Sequence, residues 1–461
     1  MWRLFKKHSR SSGLLHLRLL KLNLVYVGDF QAAKYIFNHR DVQDRLFPNY
    51  ADYSDELRDY RHLGSAGVVF NEGHSWQQLR RFTLKTLKEF GFGRAGMQEM
   101  VEEEVEHFLN HLRAGKSVVE ISTQFSLPIL NSLWRLAVGE RFNYDDPQLS
   151  SILSRLNSLF RVLYSPLELL GLSHPWLLKL PLMRKILGRE EGVRVCRDII
   201  QLMREKVREH ELVLDHDHPR DFIDVALMEI NRTSDPSSSF YGDRGREQLV
   251  NILFDLFVAG SETTSTTLSW AVLYMLRHPE VQAKVQAELD KVVGKERLPT
   301  MSDRPNLPYT EATLMEVQRH ASILPTGLAH YSRRSISVNG VTIPPNTVYH
   351  CLYAEVMKGE HWGDGEVFRP SRFLGEDGLV RRDERLMPFS VGRRQCPGEN
   401  LARWGKSNLQ RYHLTSNCLG REHFWYIQQN CCVIKYPISV QDGALSVFLR
   451  PAASLLPGAK G

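Results

Sequence analysis

Between Arg244 and His278 the chain keeps an apolar helical repeat for longer than anywhere else, and Pro279 closes it. From Leu249 to Ala259 the segment reads as apolar almost all round. A helix of that length without a polar face has to run through the interior, so the other elements must pack around it. The composition can supply such a core: 42% of residues are hydrophobic and 10% aromatic, which excludes a disordered chain. At 461 residues there is room for about three domains of ~150 residues. No Gly/Ser-rich or Pro-rich linker divides the chain, and one large domain is expected.

Around that helix, apolar stripes at helical spacing predict helices over Ser75 to Glu89, Met97 to Leu112, Ser126 to Val138, Val193 to His210, Asp221 to Glu229, Val281 to Val293 and Tyr309 to His320. Strand signals are confined to two places. Leu15 to Leu20 and Leu24 to Val27 come first, followed by a helix from Gly28-Asp29 to Phe37. Ser335 to Val338 and Val341 to Pro345 form the second, joined by the turn dipeptide Asn339-Gly340. The architecture expected is mainly α with a minor β portion.

Lysine and arginine total 59 against 53 acids, a net charge of +6, too mild for a nucleic-acid binder but compatible with a local basic face for an acidic partner. The six cysteines, Cys196, Cys351, Cys396, Cys418, Cys431 and Cys432, show neither zinc-site spacing nor a disulfide framework, which fits a reducing compartment. Leu14 to Leu22 is interrupted by His16, Arg18 and Lys21, and no stretch of ~18 apolar residues is present to span a membrane. Asn231-Arg232-Thr233 is a formal glycosylation sequon without a signal peptide and carries no weight.

Chemistry concentrates in Phe389-Ser-Val-Gly-Arg-Arg-Gln-Cys-Pro-Gly398. A thiolate persists as a metal ligand only with help. Gly392 and Gly398 permit a tight loop, exposed backbone N–H groups can aim at sulfur, and the N-terminus of a following helix favours negative charge. An isolated cysteine in a Gly-rich loop is more often a buried structural thiol. Here Phe389, Gly392, Arg394, Cys396 and Gly398 resemble the haem-loop pattern F-x-x-G-x-R-x-C-x-G of the cytochrome P450 family, most closely its animal microsomal branch. The resemblance implies haem b with Cys396 as its axial ligand and metal contact, Phe389 beside the sulfur, and Arg394 paired with a haem propionate.

Further segments match the same family. Ala259-Gly-Ser-Glu-Thr-Thr264 lies inside the long helix, where an acid and a hydroxyl are costly to bury and a Thr bonding back to the preceding turn can open the ladder. A solvated Ser/Thr stripe is the ordinary reading of such residues; the resemblance makes Glu262 and Thr263 the catalytic acid–alcohol pair that delivers protons to dioxygen. Trp76 and Arg80, four apart, resemble the family's W-x-x-x-R, and His330 its propionate-side histidine. Glu316 and Arg319 form E-x-x-R; in the family such a pair joins an arginine in a P-x-R-F segment, here Arg372, in a structural role. Phe70, Val258, Ala259, Leu324 and Leu328 fall where the family contacts substrate, although single apolar residues are more often core.

The implied activity is insertion of one oxygen atom of O2 into a lipophilic steroid, fatty acid or xenobiotic. Electrons come from NADPH through NADPH-cytochrome P450 reductase, with cytochrome b5 as a further partner, at the cytosolic face of the endoplasmic reticulum membrane. Arg81, Lys85 and Lys88 form a basic stripe where that reductase would dock. A peroxide-rearranging enzyme of the same fold is disfavoured by Glu262 and Thr263. A non-catalytic haem binder, or a defective product of the gene model, is the alternative from another class. Family members begin with a membrane anchor and a Pro-rich hinge, and this chain is expected to be a truncated or soluble form. Residues 1–403 are expected to form the catalytic domain and 404–461 an atypical C-terminal segment of it. From Trp404 to Ser439 the likeness breaks, with only Leu401, Trp404, Leu409 and Tyr412 keeping a partial stripe, and a gene-model or splicing error is expected there.

Overall fold

The computed structural model describes residues 13–19, 22–45, 67–90, 95–114, 125–163, 180–186, 189–294 and 299–399, with 5, 9, 297 and 402 besides. The C-terminal expectations for Leu401 and for Trp404 to Ser439 lie outside these residues.

The chain opens with an antiparallel pair, β1 (Leu14–Leu19) and β2 (Leu22–Val27). Helix α1 (Phe30–Asn38) follows at once because Asp29 caps it, accepting from the Ala32 amide at 2.7 Å. Then come α2 (Gly73–Glu89), α3 (Ala95–Ala114), α4 (Ser126–Val138), α5 (Pro147–Leu163), α6 (Pro181–Ile186), α7 (Arg189–Leu212) and α8 (Phe222–Arg232). The long central helix is α9 (Gly242–Arg277), followed by α10 (Pro279–Val292) and α11 (Pro308–Ala321). Four strands, β3 (His330–Ser332), β4 (Ile336–Val338), β5 (Val341–Ile343) and β6 (Thr347–Cys351), precede α12 (Tyr353–Lys358). The fold is mainly helical with two small sheets.

Helix α4 ends where expected because Gly139 takes a left-handed φ of 71°. The β4–β5 turn is built on Asn339 and Gly340, both at positive φ, as a tight hairpin requires. Strands β3 and β6 and helix α5 were not expected. β6 proves central: it pairs in parallel with β2 and antiparallel with β3, giving the order β1-β2-β6-β3.

The main core forms where α9 packs along α4 and α7. Trp134 of α4 sits between Phe142 and Phe257, with ring centroids 5.1 and 5.7 Å away, and is 1% exposed. Truncating such a residue to Ala costs about 3–5 kcal/mol. A second core joins β2, α1 and β6 through Val25, Val27, Ile36, Phe37, Tyr349 and Cys351, and Met387 from the loop beyond completes it. The stretch Leu249 to Phe257 is largely buried, and its two polar members, Asn251 and Asp255, point inward and are held by hydrogen bonds.

Candidate active site

The Cys396 loop leans on the end of α1. Gly392 has φ 85°, and a Cβ there would stand 2.2 Å from the Phe37 carbonyl oxygen, so only glycine fits. The turn is closed by the Gln395 amide donating to Gly392 O at 3.0 Å and the Cys396 amide donating to Phe389 O at 2.9 Å. Cys396 is exposed, and Ala402 N donates to Gly398 O at 2.8 Å, which starts a helical turn just past the cysteine. A Cβ on Gly398 would stand 3.8 Å from Cys396 Sγ, so a bare backbone lies close to the sulfur.

Two positions before the cysteine, Arg394 turns inward and is 5% exposed. It donates to Gln43 O at 2.8 Å, to Asn71 O at 2.5 Å and, at the limit, to Val68 O at 3.5 Å. Its guanidinium lies over the Trp76 ring at 3.8 Å. Among the described residues no carboxylate pairs with it. Burial, with Arg45 and Arg80 adding repulsion, pulls its pKa down to about 8. Arg80 donates to Gln395 O at 2.5 Å; burial lowers its pKa, and Cys396 opposes that shift. The Trp76 indole N–H is buried and makes no hydrogen bond among the described residues. His330, 2% exposed, donates from Nδ1 to Val42 O at 2.8 Å; burial and then Arg45 hold its pKa well below the ordinary histidine value. A buried cation without a counter-ion and an orphaned indole donor are both expensive. Both fit a carboxylate-bearing group such as a haem propionate.

On α9, Thr263 donates to Ala259 O at 2.8 Å. The carboxylate of Glu262 accepts from the Thr266 hydroxyl at 3.2 Å. The acid and alcohol are neighbours, then, but not bonded to each other. The back-bond leaves the helix intact, because α9 runs unbroken through this stretch. Burial raises the Glu262 pKa, against the pull of Thr266. Ala259 is exposed and Val258 half-buried; a Cβ on Gly260 would meet Leu133 at 2.5 Å, so this glycine lets α9 approach α4. Phe70 and Leu324 are half-buried and Leu328 is 40% exposed. On α2, Arg81, Lys85 and Lys88 are exposed, and Lys85 pairs with Glu89 at 3.7 Å.

Asp255 escaped sequence reading. Its Oδ2 accepts from the Val68 amide at 2.6 Å and the Val69 amide at 2.9 Å. Burial pushes its carboxyl up to about 7, with those two bonds opposing. Its only sequence signal was an acid inside an apolar run.

Away from this centre, Glu316 and Arg319 are fully buried on α11. Glu316 accepts from Arg319 Nε at 2.7 Å, Arg319 NH2 at 2.9 Å, Arg372 Nε at 3.1 Å and the Arg369 amide at 2.8 Å. Arg319 also donates to Met357 O, Gly365 O and Val367 O at 2.8, 2.8 and 3.2 Å, so all five N–H groups of its guanidinium are engaged. Ser371 takes no part in this lattice.

A sequence model of the family Cytochrome P450 matches residues 1–406. Human cytochrome P450 2C8 is 36% identical over 341 residues, covering 73% of this chain and 68% of the human one. Cytochrome P450 2C20 of Macaca fascicularis is 36% identical over 375 residues, covering 80% and 75%. Mouse cytochrome P450 2B19 is 34% identical over 388 residues, covering 82% and 77%. The chain belongs to the cytochrome P450 family, whose haem iron takes a thiolate ligand, and it is a cytochrome P450 monooxygenase. Among the described residues no helix is long and apolar enough to cross a membrane.

Proposed function

We propose that this enzyme inserts one oxygen atom of O2 into a C–H bond of a lipophilic steroid, fatty acid or xenobiotic. NADPH-cytochrome P450 reductase would relay the electrons, with cytochrome b5 as a second donor, at the cytosolic face of the endoplasmic reticulum membrane. The observation that carries the reading is the donor cluster beside the cysteine: Arg394 buried and, among the described residues, without a carboxylate, stacked on a Trp76 whose indole N–H has no partner among them. When bound, haem supplies the iron at which dioxygen is activated.

The chain's residues divide the remaining work. Cys396 would be the iron's thiolate ligand, with the helical turn that follows it favouring negative sulfur. Phe389 closes the turn above it. Trp76, Arg80, Arg394 and His330 would hold the propionates. Glu262 retains its proton further up the pH scale than an exposed glutamate, and the Thr263 hydroxyl can turn from Ala259 O to pass a proton onward. Phe70, Val258, Ala259, Leu324 and Leu328 offer apolar contacts that exclude water. Glu316, Arg319 and Arg372 hold the fold beneath. Residues 1–403 form the catalytic domain in this reading, with 404–461 appended to it.

The test is the reduced carbon-monoxide spectrum of the purified, haem-loaded chain. A red-shifted Soret band that disappears in Cys396→His supports the assignment. A band that survives that substitution and is lost in Cys351→Ser refutes it.

A further inference from the structure

The far end of α9 carries chemistry that the haem-side residues do not use. Tyr274, 7% exposed, is hydrogen-bonded through its hydroxyl to Nδ1 of His320 on α11 at 2.8 Å. The second ring nitrogen of His320 lies 3.0 Å from Glu366 O. A carbonyl can only accept, so Nε2 is assigned the ring proton and Nδ1 presents a lone pair to the phenol. Burial acts on both groups in the same sense: it lowers the pKa of His320, which keeps the ring neutral, and raises that of Tyr274, which keeps the phenol protonated. The phenol therefore donates to a base with a site open for its proton.

The same phenol belongs to a stack of rings. Trp270 is one turn back on α9, its ring centroid 5.5 Å from that of Tyr274 with 27° between the planes. Phe368 stacks on Tyr274 at 4.6 Å and 13°, is itself 8% exposed, and meets His320 edge-on at 5.9 Å. These rings screen the phenol from water. Thr263 and Trp270 are seven residues apart, which is two turns and about 10 Å along one face of the helix. Tryptophan and tyrosine are among the side chains most readily oxidised by one electron, and here they are consecutive steps leading away from Thr263. A hydrogen bond that only tied α9 to α11 would need neither the base nor the stacked indole.

We propose that Trp270, Tyr274 and His320 form a one-electron relay that drains oxidising equivalents generated at the haem by hydrogen peroxide and not used on substrate. This rests on the functional reading above, in which Thr263 stands at the oxygen-binding side of the haem. The electron leaves the Tyr274 ring and passes through Trp270 to the haem centre, which is reduced by one equivalent. The Tyr274 O–H bond breaks as the electron departs and an N–H bond forms at His320 Nδ1. The products are a neutral phenoxyl radical and an imidazolium that still donates to Glu366 O. A cellular thiolate reverses the step: it gives one electron to the phenoxyl and becomes a thiyl radical, while His320 returns the proton. The phenol is thus oxidised in place of the haem pocket and restored afterwards.

The experiment mixes the haem-loaded full chain, free of substrate, with hydrogen peroxide, freeze-quenches within milliseconds and records high-field electron paramagnetic resonance. Wild type should show a tyrosyl signal whose largest g value is lowered by a hydrogen bond and which carries a proton coupling exchangeable in heavy water. Tyr274→Phe should lose that signal and bleach its haem faster under peroxide, and Trp270→Phe should delay the signal without changing its g values. His320→Gln separates a relay from a structural tie. Its amide oxygen can accept from the phenol but cannot take the proton, so the signal should be lost while the thermal unfolding midpoint stays near wild type. Should Tyr274→Phe fail to hold haem, the comparison of His320→Gln with wild type decides alone. A signal that survives Tyr274→Phe, a signal as strong in His320→Gln as in wild type, or bleaching equal in Tyr274→Phe and wild type would each overturn the proposal. So would a wild type that shows the thiolate carbon-monoxide band yet forms no tyrosyl radical. Failure of the underlying functional reading looks different: the wild type would then lack that band altogether.

Discussion

Replacing Arg319 by lysine keeps the charge and removes the fork. The arginine engages five N–H groups in fixed directions, two toward Glu316 and three toward the carbonyls of Met357, Gly365 and Val367. A lysine ammonium offers three donors from one point, so it can keep one bond to Glu316 and at most two others. At least one buried carbonyl and the bidentate geometry are then lost, and the stack of the guanidinium over the Trp362 ring, 5.2 Å away, goes with them. An unsatisfied buried polar group costs about 1–3 kcal/mol, and disrupting a buried ion pair about 3–5 kcal/mol. The bonds lysine keeps hold the total near the lower end of their sum, about 4–5 kcal/mol. For a chain of this size, with an unfolding entropy of about 1 kcal/mol/K, that corresponds to a fall in the melting midpoint on the order of 4–5 °C. Thermal unfolding of wild type and Arg319→Lys by circular dichroism measures it. A second arm, Glu316→Leu with Arg319→Leu, should cost less than the two single replacements added together, because neither charge is left behind. A midpoint for Arg319→Lys within about 1 °C of wild type would refute the reasoning, since it would mean the fork contributes no more than an exposed ion pair.

Thr263→Ala should keep haem and substrate binding but lower the product formed per NADPH consumed, with the difference appearing as peroxide; equal coupling would remove Thr263 from proton transfer. Reversing the charges of Arg81, Lys85 and Lys88 together should raise the apparent KM for reductase and flatten its salt dependence, and unchanged values would make the stripe ordinary solvated surface. His210, in the last turn of α7, bonds Asp221, the N-cap of α8, at 2.9 Å and Lys206 O at 2.7 Å. Burial lowers its pKa, but the Asp221 bond outweighs that and leaves it raised. Its stabilisation is therefore full below the unfolded value of about 6.5 and is lost as pH rises through the higher folded value. Urea midpoints should fall between pH 6 and pH 9 in wild type and less so in His210→Gln, and parallel profiles would argue against the pair.

The elements most legible in the sequence were those whose evidence is local. Helix α4 was placed with its observed bounds because its apolar stripe and the following Gly139 both lie within the element. The β4–β5 hairpin announced itself through Asn339-Gly340. Strand β6 did not, since Pro344-Pro345 precede it and its sequence, TVYHC, shows no clear alternation; what makes it a strand is β2, far away in the chain. The same holds within the site. Motif spacing named Cys396, Arg394, Trp76 and Glu316, but nothing local ties Asp255 to Val68, a contact that exists only after the chain has closed on itself. Nor could spacing show that Thr263 and Glu262 each bond to α9 rather than to each other.

The parallel pairing of β2 with β6 also bears on how the protein is made. Asn23 and Thr347 are register partners, so roughly 320 residues must be synthesised between the two strands. At about 5–20 residues per second, the first hairpin waits on the order of 15–65 s with one strand edge bare on the ribosome. An unpaired edge is a template for other chains. Demand for chaperone cover should therefore fall on the N-terminal hairpin of the nascent chain and end once β6 has emerged and docked beside β2.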